Sequence, residues 1–150
     1  MYQHILIATD GSELAERGVT NGLALAKSMG AKVSVIIVQE PLDWYSYFNM
    51  AGDPGQVSEA AKERAAQFRK YATSVLNRVA NAAKQAGVSC DTIQVENEYP
   101  HQAIIAAAEE KGCDLIVMSS HGRGALSGVL LGSVTFKVLA QTKINVLVCY

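Results

Sequence analysis

Close cysteine pairs are missing from this sequence. Cys90, Cys113 and Cys149 are its only cysteines, and no C-x-x-C occurs. An odd number at wide spacing reads as free thiols in a reducing cytoplasm, packed as small core residues. Basic runs are missing as well. Lys and Arg total 13 against 14 Asp and Glu, for a net charge of −1. That leaves no electrostatic footprint for nucleic acid, and no RNA-recognition or zinc-finger signature accompanies it. No apolar run is long enough to span a bilayer, so no membrane partner is expected. The start, MYQHILIATDGS, lacks a basic leader and passes straight into strand pattern, which argues against a secretory signal.

What is present is an alternation of short apolar runs and amphipathic helices. The hydrophobic fraction is 49% and the charged fraction 18%, as in a globular chain with a sizeable core. One domain over 1–150 is the simplest reading. His4 to Thr9 reads as a strand covered on both faces, because Ile5, Leu6 and Ile7 are consecutive. Asp10-Gly11-Ser12 is a turn in which Asp10 or Ser12 caps the next helix. Ala15, Val19, Leu23, Ala26 and Met29 share one face of that helix, and Gly30 stops it. Lys32 to Val38 is the second strand. Gln39 to Ser58 reads as a loop holding Trp44, Tyr45, Tyr47 and Phe48, which pack on the following helix or form a lid or partner surface. A long helix spans Glu59 to Ala86, with Arg64, Arg69, Lys70 and Arg78 on a solvated face. A more polar strand, Val88 to Asn97, suits a sheet edge. Pro100 opens a helix to Lys111. Asp114 to Met118 is an apolar strand, Ser133 to about Gln141 a helix, and Ile144 to Cys149 the last strand.

Strands alternating with helices predict an α/β fold, an open five-stranded parallel sheet of Rossmann-like type with helices on both faces. Ligands of such sheets sit at the carboxyl ends of the strands. Asp10, Val38 and Met118 are all placed at strand ends of that kind. The segment Met118 to Thr135, MSSHGRGALSGVLLGSVT, lies between a strand and a helix. Its glycines permit close backbone approach, and the helix N-terminus favours an anion, most naturally phosphate. It is not a Walker A loop, since no G-x-x-x-x-G-K-[ST] occurs. Nor is it a dinucleotide fingerprint, because Gly122-Arg-Gly124 breaks at Ser127.

The segment does resemble the G-x-x-G-(nine residues)-G-[ST] motif of universal stress proteins of the UspA type. Gly122, Gly132 and Ser133 match its later part, and Ser120-His121 match the usual residues before it. ILIATDGS at the start, the long second helix, DLIVM before the loop and NVLV at the end extend the resemblance over the whole chain. It implies a strand order of 3-2-1-4-5 and an ATP site. Val38 would hold adenine through backbone groups. Asp10 would lie near the ribose or a metal-bound water, with Ala8 and Thr9 as wall and Met118 and Ser119 under the sugar. Gly122, Gly132, Ser133, Val134 and Thr135 would wrap the phosphates. From the residues themselves, His121 reads as a solvent- or phosphate-facing group and Arg123 as a phosphate contact or a free surface arginine. Mg2+ would arrive with the triphosphate rather than in a protein cage.

One departure stands out: Ser119 occupies the place of the first motif glycine. Left-handed backbone there would cost about 1–2 kcal/mol; ordinary backbone would leave a hydroxyl for the ligand. The last strand, nearly all apolar and placed at an edge, is expected to pair in a homodimer, as the resemblance also implies. The expected function is an ATP-binding, cytoplasmic stress-response module with a protein partner that the sequence does not name. Its rivals are a dimeric interaction protein of the same family without nucleotide, and a slow ATPase or an enzyme phosphorylating itself at Ser119, Ser120 or Ser133. No strong general base is visible. A flavin carrier is a more distant rival, excluded by a colourless preparation.

Overall fold

Consecutive apolar residues require a strand with two covered faces, and β1 (His4–Ala8) has them. In the computed structural model, Ile5 and Ile7 enter one core and Leu6 and Ala8 the other. The structure describes residues 1–43, 49, 52–122, 128 and 130–150. After β1 come α1 (Glu13–Met29), β2 (Lys32–Gln39), α2 (Pro54–Ala86), β3 (Cys90–Glu96), α3 (Pro100–Lys111), β4 (Leu115–Ser119), α4 (Ser133–Gln141) and β5 (Asn145–Cys149). The sheet order is β3-β2-β1-β4-β5, and every neighbouring pair is parallel. The α/β architecture and the order 3-2-1-4-5 are therefore those expected.

The first core joins alternate strand residues to Val19 and Leu23 of α1 and Ala72, Val75 and Val79 of α2. The second joins the intervening residues to Ile104 and Ala108 of α3 and Val138 of α4. Each fully buried aliphatic side chain contributes roughly 1.5–3 kcal/mol. The single-residue alternation thus places two helices on each face of the sheet. The edge strands are more exposed: from Thr92 on, β3 alternates exposed with half-buried residues, and Leu147 of β5 is 38% exposed.

Helix ends follow local chemistry. Ser12, not Asp10, caps α1: its Oγ accepts from the Ala15 N–H at 3.2 Å. Asp10 braces the same turn by accepting from the Ser12 N–H at 2.9 Å. α1, α2 and α3 each end at a glycine in the left-handed region, Gly30, Gly87 and Gly112. One boundary differs clearly from expectation. α2 starts at Pro54 rather than Glu59, because Asp53 Oδ1 accepts from the Gly55 N–H at 3.0 Å and Pro54 sits in the first turn. Trp44, Tyr45, Tyr47 and Phe48 lie outside the described residues. Among the described residues no helix is long and apolar enough to cross a membrane.

Candidate functional site

The carboxyl ends of β1, β2 and β4 open into a cleft of about 990 Å³. Ala8, Thr9 and Asp10 line it from the end of β1, and Val38 from β2. Met118 and Ser119 line it from β4, and His121 and Gly122 from the turn beyond. Gly132, Ser133, Val134 and Thr135 line it from the start of α4. Every candidate within the described residues is therefore in one place; Arg123 lies outside those residues.

The two limbs of the segment between β4 and α4 are tied at their base. Ser120 N–H donates to the Cys149 carbonyl and Gly132 N–H to the Ser120 carbonyl, both at 2.7 Å. Thr135 Oγ1 donates to the Ser119 carbonyl at 2.9 Å. Two glycines are required by close approach rather than by unusual dihedrals. A Cβ on Gly122 would collide with the Asp10 carboxylate, and one on Gly132 would lie 3.1 Å from the Ser120 carbonyl oxygen.

Ser119 resolves an open alternative. No described non-glycine residue has positive φ, so serine is unstrained there. Its hydroxyl is not spare, however: Oγ donates to the His121 carbonyl at 2.5 Å. Ser119 and Ser120 are buried, while Ser133 is exposed.

The electrostatics suit an anion at one end. α4 begins with no side-chain cap at Gly132 and no acidic residue in its first turn, so its amide dipoles meet no protein counter-charge from a cap. His121 adds a second sign. Its Nδ1 pairs with Ser120 Oγ at 3.1 Å, and its Nε2 is buried without a hydrogen-bond partner among the described residues. A buried polar atom beside the cleft calls for a partner that a water or a bound anion can supply. Asp10, Glu40, Asp43 and Arg64 are the charged residues among the described lining. Among the described residues no cluster of three or more His, Cys, Asp or Glu is placed to hold a metal.

Several lining residues escaped the sequence reading, above all Arg64, Ala65 and Phe68 of α2 and Phe136 of α4. Arg64 was expected on a solvated face; it is exposed but borders the cleft. Length was the available signal. A helix of 33 residues runs roughly 50 Å, far longer than the strands beneath it, and it reaches the cleft at Arg64, Ala65 and Phe68.

The family model of the Universal stress protein family matches residues 1–149. The chain belongs to this family. A universal stress protein of Thermus aquaticus is 33% identical over 147 residues, 98% of either chain. The solved structure of MJ0577, a universal stress protein of Methanocaldococcus jannaschii, matches with a TM-score of 0.80 at 29% identity, covering 99% of this chain and 96% of that one. A universal stress protein solved in complex with cAMP matches at 0.70 and 24% identity, covering 99% and 97%. Another, from Archaeoglobus fulgidus in complex with dAMP, matches at 0.65 and 19%, covering 99% and 98%. With these last two, this universal stress protein shares the fold.

Proposed function

We propose that this universal stress protein binds an adenine nucleotide, with ATP and Mg2+ as the form it takes up, and acts as a nucleotide-responsive stress-response module in the cytoplasm. The carrying observation is the uncapped α4 N-terminus behind Gly132, opening on the cleft with Ser133 at its first position. Backbone N–H groups there and the Ser133 hydroxyl would hold phosphate oxygens. Gly122 and Gly132 leave room for them. Val38 would take the base through its backbone, Met118 the underside of the sugar, and Asp10 the ribose or a water on the metal. Ala8 and Thr9 form the wall, and Val134 and Thr135 continue the α4 amides. The cAMP and dAMP complexes of fold neighbours support an adenine nucleotide as ligand class. A metal would come with the phosphates, whose charge it offsets beside Asp10.

Calorimetric titration with ATP and magnesium tests this. Micromolar binding, about −8 kcal/mol, is expected in the parent protein and absent in Gly132→Val. A folded parent that binds no adenine nucleotide overturns the reading. The rival interaction protein without nucleotide drew its support from Ser119, and that residue fits its position without strain.

The protein is further proposed to form a homodimer through β5. Leu147 is 38% and Tyr150 68% exposed at this open edge, and an apolar edge seeks a partner strand. Leu147→Lys is expected to give monomers by sedimentation, and a parent that sediments as a monomer overturns the dimer.

A further inference from the structure

We infer that Ser119 is a positioning residue whose hydroxyl fixes the His121–Gly122 peptide, so that the Gly122 amide serves the phosphate part of the ligand. This rests on the nucleotide reading above and goes beyond it, because it gives the hydroxyl a task away from the ligand.

Ser119 is a fixed platform. It ends β4, is 8% exposed, and pairs in register with Cys149. Its carbonyl is held by Thr135 Oγ1 at 2.9 Å. α1 crosses its backbone closely: a Cβ on Gly18 would lie 3.1 Å from the Ser119 nitrogen. From this platform Oγ donates to the His121 carbonyl oxygen at 2.5 Å. The described peptide bonds include no cis bond. In a planar trans peptide the N–H points opposite to the C=O. Pinning the His121 oxygen on the Ser119 side therefore turns the Gly122 N–H away from it. Gly122 itself is confined, since the Asp10 carboxylate fills the space of its missing Cβ.

Among the described residues no neighbour duplicates this latch. Ser120 N–H is committed to Cys149, its carbonyl to Gly132, and its Oγ to His121 Nδ1. A glycine or alanine at 119 would leave the carbonyl unpinned, and a peptide preceding a glycine turns at little steric cost. The serine thus removes, before binding, a rotational freedom that the ligand would otherwise have to arrest.

The test has one readout without ligand and one with it. In isotope-labelled protein, the Gly122 amide resonance is expected to shift and exchange faster in Ser119→Ala and Ser119→Gly, and to stay near its parent position in Ser119→Thr. In titrations, Ser119→Ala is expected to weaken AMP about tenfold, the scale of one hydrogen bond, and to weaken adenosine far less. Ser119→Thr restores AMP binding. An unmoved Gly122 amide in both truncations overturns the latch. Equal losses for AMP and adenosine overturn its phosphate role and leave Ser119 a general support. A parent that binds neither compound overturns the nucleotide reading and the phosphate role with it, while the amide measurement still decides whether the latch exists.

Discussion

Asp10 and Gly122 share one volume. The Asp10 carboxylate stands where a side chain on Gly122 would begin, and it is held there by the Ser12 N–H at 2.9 Å. Because that carboxylate is anchored, Gly122→Ala is expected to destabilise the protein by about 1–3 kcal/mol, the usual range for overpacking. In an Asp10→Ala background the same change is expected to cost less than half as much, and urea unfolding midpoints of the four proteins measure the difference. Additive costs would show that the two residues do not compete. Gly122, Gly132 and Ser133 are legible in the sequence as candidates because glycines in a strand-to-helix segment, with serine at the helix start, suit close backbone approach to an anion. Ser119 was seen as a departure but not as a latch, since a hydroxyl choosing between ligand and a carbonyl two residues on leaves no trace in residue type.

At the level of elements, the central strands are legible because both faces of the sheet are covered, so β1 and β4 read as apolar runs and β2 as one broken only at Ser34. The start of α2 was less so. Asp53-Pro54 carries a capping residue followed by a first-turn proline, but Pro54, Gly55 and the preceding aromatics spoke for a loop. Packing decided otherwise: Val57 and Ala61 are both 3% exposed, so the early turns belong to the folded helix. Those same turns lead to Arg64, Ala65 and Phe68 at the cleft. Asp53→Ala is expected to remove the Gly55 hydrogen bond and cost about 0.5–2 kcal/mol locally. Amide exchange should quicken over residues 55–58 and stay unchanged near Val79. A uniform rise along the whole helix would mean that the cap stabilises the entire fold instead.

For the molecule as a whole, the two ends of the sheet carry different chemistry. The carboxyl ends hold the cleft; the amino ends hold a closed polar ring. His4 Nδ1 faces the Lys111 carbonyl at 3.1 Å and Nε2 faces Ser34 Oγ at 2.8 Å. Ser34 Oγ donates to Asp91 at 2.5 Å, and Lys111 Nζ donates to the same carboxylate at 2.8 Å. Burial and the Lys32 ammonium lower the His4 pKa, against the opposing pull of the Lys111 carbonyl, Asp91 and Asp114. For Asp91, burial works against the charged form, but hydrogen bonds from Lys111 and Ser34 prevail and hold its pKa below the ordinary value. Two pH windows follow. A histidine with a lowered pKa takes up more protons unfolded than folded, so its contribution is intact above about pH 6.5 and fades as pH falls through the folded value. The Asp91 contribution is intact above about pH 3.9 and fades only below it. In the upper window the slope from one proton cannot exceed about 1.4 kcal/mol per pH unit. His4→Gln keeps a polar group facing Ser34 without titrating, so it is expected to flatten the stability profile between pH 7 and pH 5 and leave the fall below pH 4 in place. The ring and the cleft occupy opposite ends of the strands and share no residue, so the same variant is expected to bind nucleotide as the parent does. Parallel stability profiles for parent and variant would remove His4 as the source of the upper window. A large change in nucleotide affinity would show instead that strain at the amino ends travels along β1 and β4 to the cleft.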